Sequence, residues 1–149
     1  MNTYLAHIDQ YIIRFCRKLF IPFARFSLAV IFIWFGMLKV FGFSPAGPLV
    51  EGLFQVTISF MDFHTFYALF AWFEVVIGFM FIIPRFTRFV IPLLFIHMIT
   101  TVGPLVLLPV ETWVAPFVPT LVGQYIIKNL VIVTTAIGIA AYVHPFSEK

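Results

Sequence analysis

Four long apolar runs constrain this chain more than any other feature: residues 21–43, 65–83, 89–108 and 121–143. Each is long enough to cross a bilayer as a helix, which takes about 20 residues. A segment in hydrocarbon must satisfy its own backbone hydrogen bonds, which restricts it to helices or closed barrels. The runs are too long for spanning strands and lack strict alternation. The pattern predicts an all-α, integral membrane four-helix bundle, a single domain over residues 1–149. Composition agrees: 10% of residues are charged and 62% hydrophobic, against about 25% charged in an average soluble domain.

Proline- and glycine-rich breaks separate the runs. "FSPAGP" (43–48) ends the first, "IPRFTR" (83–88) divides the second from the third, and "LPVETWVAPFVP" (108–119) divides the third from the fourth. Pro92 and Pro104 are expected to kink the third. Arg14, Arg17 and Lys18 precede the first run, but no small-residue cleavage site follows it, so a cleaved signal peptide is not expected. Cys16 is the only cysteine, which excludes an intramolecular disulfide and a CxxC redox pair.

Two further segments have two-faced patterns. In "YLAHIDQYIIRFCRKLF" (4–20), Leu5, Ile8, Ile12, Phe15 and Leu19 repeat at three and four, away from Asp9, Gln10, Arg14, Arg17 and Lys18. This predicts an N-terminal amphipathic helix lying on the inner membrane surface. In "GPLVEGLFQVTISFMDF" (47–63), Glu51, Gln55, Ser59 and Asp62 share a face opposed to Leu49, Leu53 and Phe54. This predicts a short outer-surface helix between spans one and two.

Seven of the nine basic residues flank the spans on one side: Arg14, Arg17, Lys18, Arg25, Arg85, Arg88 and Lys149. The opposite loops carry Glu51, Asp62 and Glu111 and no Lys or Arg. The positive-inside rule then puts both termini in the cytoplasm. The basic residues are spread in these topological places, so nucleic acid is not an expected partner; the lipid bilayer is.

Polar and small residues form a stripe on each span. Arg25, Ala29, Phe32, Gly36 and Lys39 repeat at four and three, as do Tyr67, Ala71, Glu74 and Gly78. His97, Thr101 and Pro104 share a face of the third span, and Gln124, Lys128, Thr135, Gly138 and Tyr142 follow one stripe of the fourth. Such spacing marks one helix face, and small residues in it allow close helix contact. The four stripes are expected to face one another. Glu74 and His97 fall near the midplane, Lys128 about 6 Å and Lys39 about 10 Å outward of it, at 1.5 Å rise per residue.

An unpaired charge at the depth of Glu74 costs at least ~3 kcal/mol. Glu74 is therefore either protonated or paired with Lys128 or Lys39. Lys39 has the alternative of snorkelling to the outer surface; Lys128 is expected to point into the bundle and to interact with Glu74, directly or through Gln124 or water. Each polar residue also has a structural reading: an ion pair that holds helices together, a satisfied core histidine at His97, and Gln124 and Asn129 as hydrogen-bonding glue between helices. A lone histidine specifies no metal. Trp34 and Trp72 are expected in packing, and Trp113 as an outer interface anchor.

"FIWFGMLKVFGFSPAGP" (32–48), "FEVVIGFMFIIPR" (73–85) and "PTLVGQYIIKNLVIV" (119–133) resemble the DoxX-like family of small four-helix bacterial membrane proteins, in the branch that includes the reactive-chlorine-resistance membrane proteins. The resemblance runs from about Phe23 to Val143. It places the family's Gly-x-x-Lys lysine at Lys39, its second-helix glutamate at Glu74 and its fourth-helix Lys-Asn at Lys128 and Asn129. It implies an inner-membrane protein associated with redox chemistry, since some DoxX-type proteins belong to a thiosulfate:quinone oxidoreductase and others resemble membrane anchors of oxidative-stress complexes.

The expected function is a redox-associated subunit binding a lipophilic small molecule such as a quinone, with Lys39, Glu74, His97, Gln124, Lys128 and Asn129 as candidate ligand-binding residues. With no dithiol pair and no recognisable cofactor motif, the chain is expected to depend on a protein partner for electrons, or to act as a homo-oligomer within a larger complex. Two other classes fit the same stripes: a small-solute or ion permeation protein, and an assembly factor without chemistry. The expected orientation has a direct test. Cysteine at Ser59 reacts with an impermeant thiol reagent from outside and cysteine at Thr87 does not; the reverse pattern overturns the N-in, C-in assignment.

Overall fold

The computed structural model describes residues 3–58 and 60–143. It is mostly helical, in the order α1 (Thr3–Val40), α2 (Gly47–Thr57), α3 (Phe63–Ile82), a 3-10 turn (Pro84–Phe86), α4 (Thr87–Val102), α5 (Pro104–Leu107), α6 (Pro109–Thr112), strands β1 (Trp113–Ala115) and β2 (Val118–Pro119), and α7 (Leu121–Ala141). Four segments are long and apolar enough to cross a membrane: Tyr4–Val40, Phe63–Ile82, Pro84–Leu107 and Leu121–Ala141. The chain has the build of a multi-pass membrane protein. Ser59 and Lys149, used above for the outer polar face and the charge bias, lie outside the described residues.

The first helix departs from expectation. The amphipathic segment is not a separate helix on the membrane surface; α1 is one continuous helix of 38 residues, about 57 Å long at 1.5 Å per residue. No glycine or proline interrupts residues 4–20, and Pro22 sits on an exposed face inside the helix. Nearly all of residues 4–20 are exposed. The segment is anchored at its end, where Phe20 packs on Gly138 and lies 6.1 Å from the Tyr142 ring.

The expected short helix between spans one and two is present as α2. Phe54 is its buried residue, packed 5.5 Å from Phe63 and 5.0 Å from Phe66, while Glu51 and Gln55 are exposed. The side chain of Asp62 caps α3 by accepting from the Thr65 N–H at 2.9 Å. Hydrogen bonding from Thr65 holds the Asp62 carboxyl below the usual carboxylate range.

The segment between the third and fourth spans corrects the all-α expectation. Residues 113–119 form a small antiparallel hairpin, with Phe117 at positive φ and 95% exposed. Trp113 is half-buried here; its indole N–H donates to the Leu105 carbonyl at 2.9 Å and ties the hairpin to α5. Trp34 and Trp72, expected in packing, are 65% and 53% exposed and face away from the bundle.

The expected stripes on spans one to three do face inward. Arg25, Ala29, Phe32, Gly36 and Lys39 are all buried, as are Ala71, Glu74 and Gly78, and His97 and Pro104. The pairing of α1 with α3 is the closest in the bundle, and two glycines set its spacing. A methyl group on Gly78 would lie 2.6 Å from Ile33 Cγ1 and 2.7 Å from its backbone N, and one on Gly36 would lie 2.7 Å from Val75 Cγ2. Below this contact Leu28, Phe32, Ile77, Phe81, Val90, Leu94, Ala136 and Ile139 form the apolar core joining α1, α3, α4 and α7.

Thr87 is buried and Arg85 exposed, so Arg85 is the better of the two for a labelling reporter at that end, with the exposed Gln55 at the other. Gly78→Val forces two helices apart against backbone atoms. It is expected to lower stability by at least about 1–3 kcal/mol, read by thermal unfolding in detergent; an unchanged midpoint would show that α1 and α3 are not held at this spacing.

Candidate functional site

Three helices bring one polar cluster together inside the bundle. The Lys39 ammonium on α1 donates to Glu74 Oε2 on α3 at 2.6 Å, and His97 Nε2 on α4 lies 3.2 Å from Glu74 Oε1. The three residues are 8%, 6% and 3% exposed respectively. Each carboxylate oxygen therefore has a basic neighbour, the Lys39 ammonium at one and the His97 ring nitrogen at the other.

Helix direction explains why these side chains meet. The Cα–Cβ bond of a helical residue tilts toward the N-terminus of its helix. α1 begins at the end of the bundle that carries Arg25, Arg85 and Arg88 (the basic end), and α3 begins at the opposite end. Gly36 packs against Ala71 and Val75, so Lys39 lies about a turn nearer the opposite end than Glu74. Lys39 leans back toward the basic end and Glu74 leans forward, and the two converge. α4 starts at the basic end, and His97 leans the same way as Lys39.

Aromatic rings close the cluster. The imidazole lies 5.5 Å from the Phe32 ring in an edge-on arrangement, 5.1 Å from Phe70 and 6.0 Å from Phe73. Lys39 Nζ lies 5.9 Å from the centre of Phe70, where the ring face attracts a cation. Phe70 and Phe73 were not among the expected site residues. Phe70 is four residues before Glu74 and so shares its helix face; that spacing was the available signal.

The histidine leaves one atom unmatched. Its backbone carbonyl accepts from the Thr100 and Thr101 hydroxyls at 2.7 and 2.9 Å. Nδ1 is buried without a hydrogen-bond partner. The contact with a carboxylate assigns the proton to Nε2 in the neutral ring, which makes Nδ1 a free acceptor. The arrangement is that of an oriented general base with a balancing cation on the far side of its carboxylate. Among the described residues no group of three or more His, Cys, Asp or Glu side chains could hold a metal ion.

The fourth span does not join the cluster. Gln124 and Lys128 are exposed and Asn129 is half-buried; the face of α7 turned inward is Gly123, Ile126, Ala136 and Ile139. The expected Glu74–Lys128 interaction is therefore replaced by Glu74–Lys39. The same direction rule gives the reason. α7 starts at the opposite end, so Lys128 leans outward, toward the nearer membrane surface, and its Nζ sits 5.0 Å from the Tyr125 ring one turn nearer that surface. Lys128 is exposed and Lys39 is buried, the reverse of what depth alone suggests.

Removing one partner of the buried pair is expected to cost about 3–5 kcal/mol, because the other charge stays behind. Lys39→Met and Glu74→Gln each destabilise on that scale in thermal unfolding, and the double variant recovers much of the loss. Lys128→Met changes stability by less than about 0.5 kcal/mol, as an outward-facing substitution should. Additive losses at Lys39 and Glu74, or coupling between Glu74 and Lys128, would refute the pairing.

No family model, curated protein or solved structure matches this chain in the comparisons made.

Proposed function

We propose that this chain is a DoxX-like protein of the bacterial inner membrane, oriented N-in and C-in, and that it serves as a quinone-binding subunit of a redox assembly. The single observation that carries the reading is His97: a buried imidazole, oriented by Glu74 and enclosed by Phe32, Phe70 and Phe73, with Nδ1 free. Ionisable groups inside a membrane domain are functional-site candidates by default, because the bilayer makes them costly to keep.

The residues suit the head group of a quinone. Its chemistry is the uptake and release of two electrons and two protons at ring oxygens. The phenylalanine rings around His97 offer apolar faces for it. His97 Nδ1 accepts a hydrogen bond or a proton from a hydroxyl on the reduced form, and the Glu74 carboxylate beside the ring accommodates the resulting charge. Lys39 holds Glu74 in place and balances it. Cys16 is the chain's only cysteine, so electrons are assigned to a partner subunit. Gln124, Lys128 and Asn129 have no part in this site; they stand on the outer or flanking faces of α7.

Protein purified in mild detergent and extracted with organic solvent is expected to yield an isoprenoid quinone by mass spectrometry. A short-chain ubiquinone analogue should raise the unfolding midpoint of the wild type and not that of a folded His97→Phe variant. A folded wild type that carries no quinone and shows no response to the analogue would sink the proposal. Solute flux in proteoliposomes in that case would favour a permeation protein, and a stable partner without ligand or flux an assembly factor.

A further inference from the structure

The bundle has a second buried cation, and it lacks what Lys39 has. Arg25 is 8% exposed, and its two terminal nitrogens both donate to a single neutral acceptor, the Thr87 hydroxyl oxygen, at 2.7 Å each. The Thr87 hydroxyl in turn donates to the Pro84 carbonyl at 2.6 Å. Arg25 Nε is buried without a partner. Among the described residues no carboxylate lies within ion-pair distance of Arg25. A guanidinium does not shed its proton in proteins, so this charge cannot neutralise itself and calls for an anion.

Its position makes the demand stronger. Thr87 is the first residue of α4, and the preceding Phe86 supplies no side-chain cap. The first-turn N–H groups of a helix carry a partial positive charge and favour anions. The 3-10 turn already takes the first of these donors, since the Thr87 N–H donates to the Pro84 carbonyl; the cation seated at that end adds to the remaining positive field. Arg85, two residues before Thr87, adds a further positive charge from an exposed position, with its guanidinium 5.6 Å from the Phe86 ring.

We infer that Arg25 and Thr87, at the start of α4, form a binding site for a phosphate group at the basic end of the bundle. Arginine presents paired donors in a fixed fork that matches phosphate oxygens, and the partial positive charge at the start of a helix favours the same kind of group. The site lies where the second and third spans leave the membrane, at head-group level. The phosphodiester of a phospholipid in that leaflet is the source its position favours; a free phosphate shares the chemistry. This inference uses none of the residues assigned to the quinone and stands or falls separately.

The test uses the full chain, delipidated in a non-ionic detergent and titrated with dioleoyl phosphatidylglycerol, with dioleoylglycerol lacking the phosphate, and with inorganic phosphate. Phosphatidylglycerol should raise the unfolding midpoint and dioleoylglycerol should not. Arg25→Gln should weaken the apparent affinity for phosphatidylglycerol about tenfold, the scale of one lost charged hydrogen bond. Thr87→Val should weaken it in the same direction, and Arg17→Gln, which removes an equal charge from the exposed part of α1, should leave it unchanged. An Arg25-dependent response to inorganic phosphate equal to that of the lipid identifies free phosphate as the source and supports the site. Equal losses in Arg17→Gln and Arg25→Gln mean diffuse attraction and overturn it. If Arg25→Gln cannot be recovered folded, the wild type decides: equal stabilisation by phosphatidylglycerol and dioleoylglycerol overturns the site.

Discussion

The carboxylate of Glu74 is the point at which three helices are tied. One oxygen takes the ammonium of Lys39 from α1 and the other faces the imidazole of His97 from α4. In an apolar bundle, dispersion and small-residue packing hold helices together without dictating rotation strongly, because leucine and phenylalanine faces are nearly interchangeable with lipid. A buried charge is different. It has very few acceptable partners, so satisfying it selects one rotation and one register for each contributing helix. The glycine contacts of Gly36 and Gly78 bring α1 and α3 close enough for the short contact, and the charge pair makes that spacing specific.

Two lysines at comparable depths have opposite fates because their helices run in opposite directions. Lys39 is near the C-terminal end of a helix that starts at the basic end, so its stem is inclined back into the bundle. Lys128 is seven residues into α7, which starts at the opposite end, so its stem is inclined toward water and rests against Tyr125. Depth alone favours burial of Lys128 over Lys39; chain direction reverses that order. His97 and Glu74 follow the same rule.

The bundle is chemically divided along its length. Toward the end where α2 and the hairpin lie, a charge-balanced cluster sits among phenylalanines, with a free imidazole nitrogen. Toward the other end an apolar core that includes Phe81 gives way to Arg25, a cation whose partner is a neutral hydroxyl. The two ends therefore differ in charge balance: a cation and a carboxylate meet at one, and a guanidinium meets a neutral hydroxyl at the other.

The sequence by itself determined the class of fold, the presence of four long apolar helices, the short helix α2, and the inward faces of the first three of them. These are local properties: hydrophobic length, periodicity and small-residue spacing act within one helix. Glu74, His97 and Lys39 were legible as candidates because their cost in lipid is a property of residue type and depth. Which lysine meets Glu74 was decided only in the tertiary structure, since pairing depends on helix direction and on which face α7 turns inward. The burial of Ile126, Ala136 and Ile139 in place of the Gln124–Lys128 stripe is a competition between whole faces, and no window of sequence weighs one face against another. The same holds for α1, whose amphipathic segment continues straight into the span because nothing local stops the helix, and for Trp113, whose role is set by a carbonyl eight residues earlier that only folding brings within 2.9 Å.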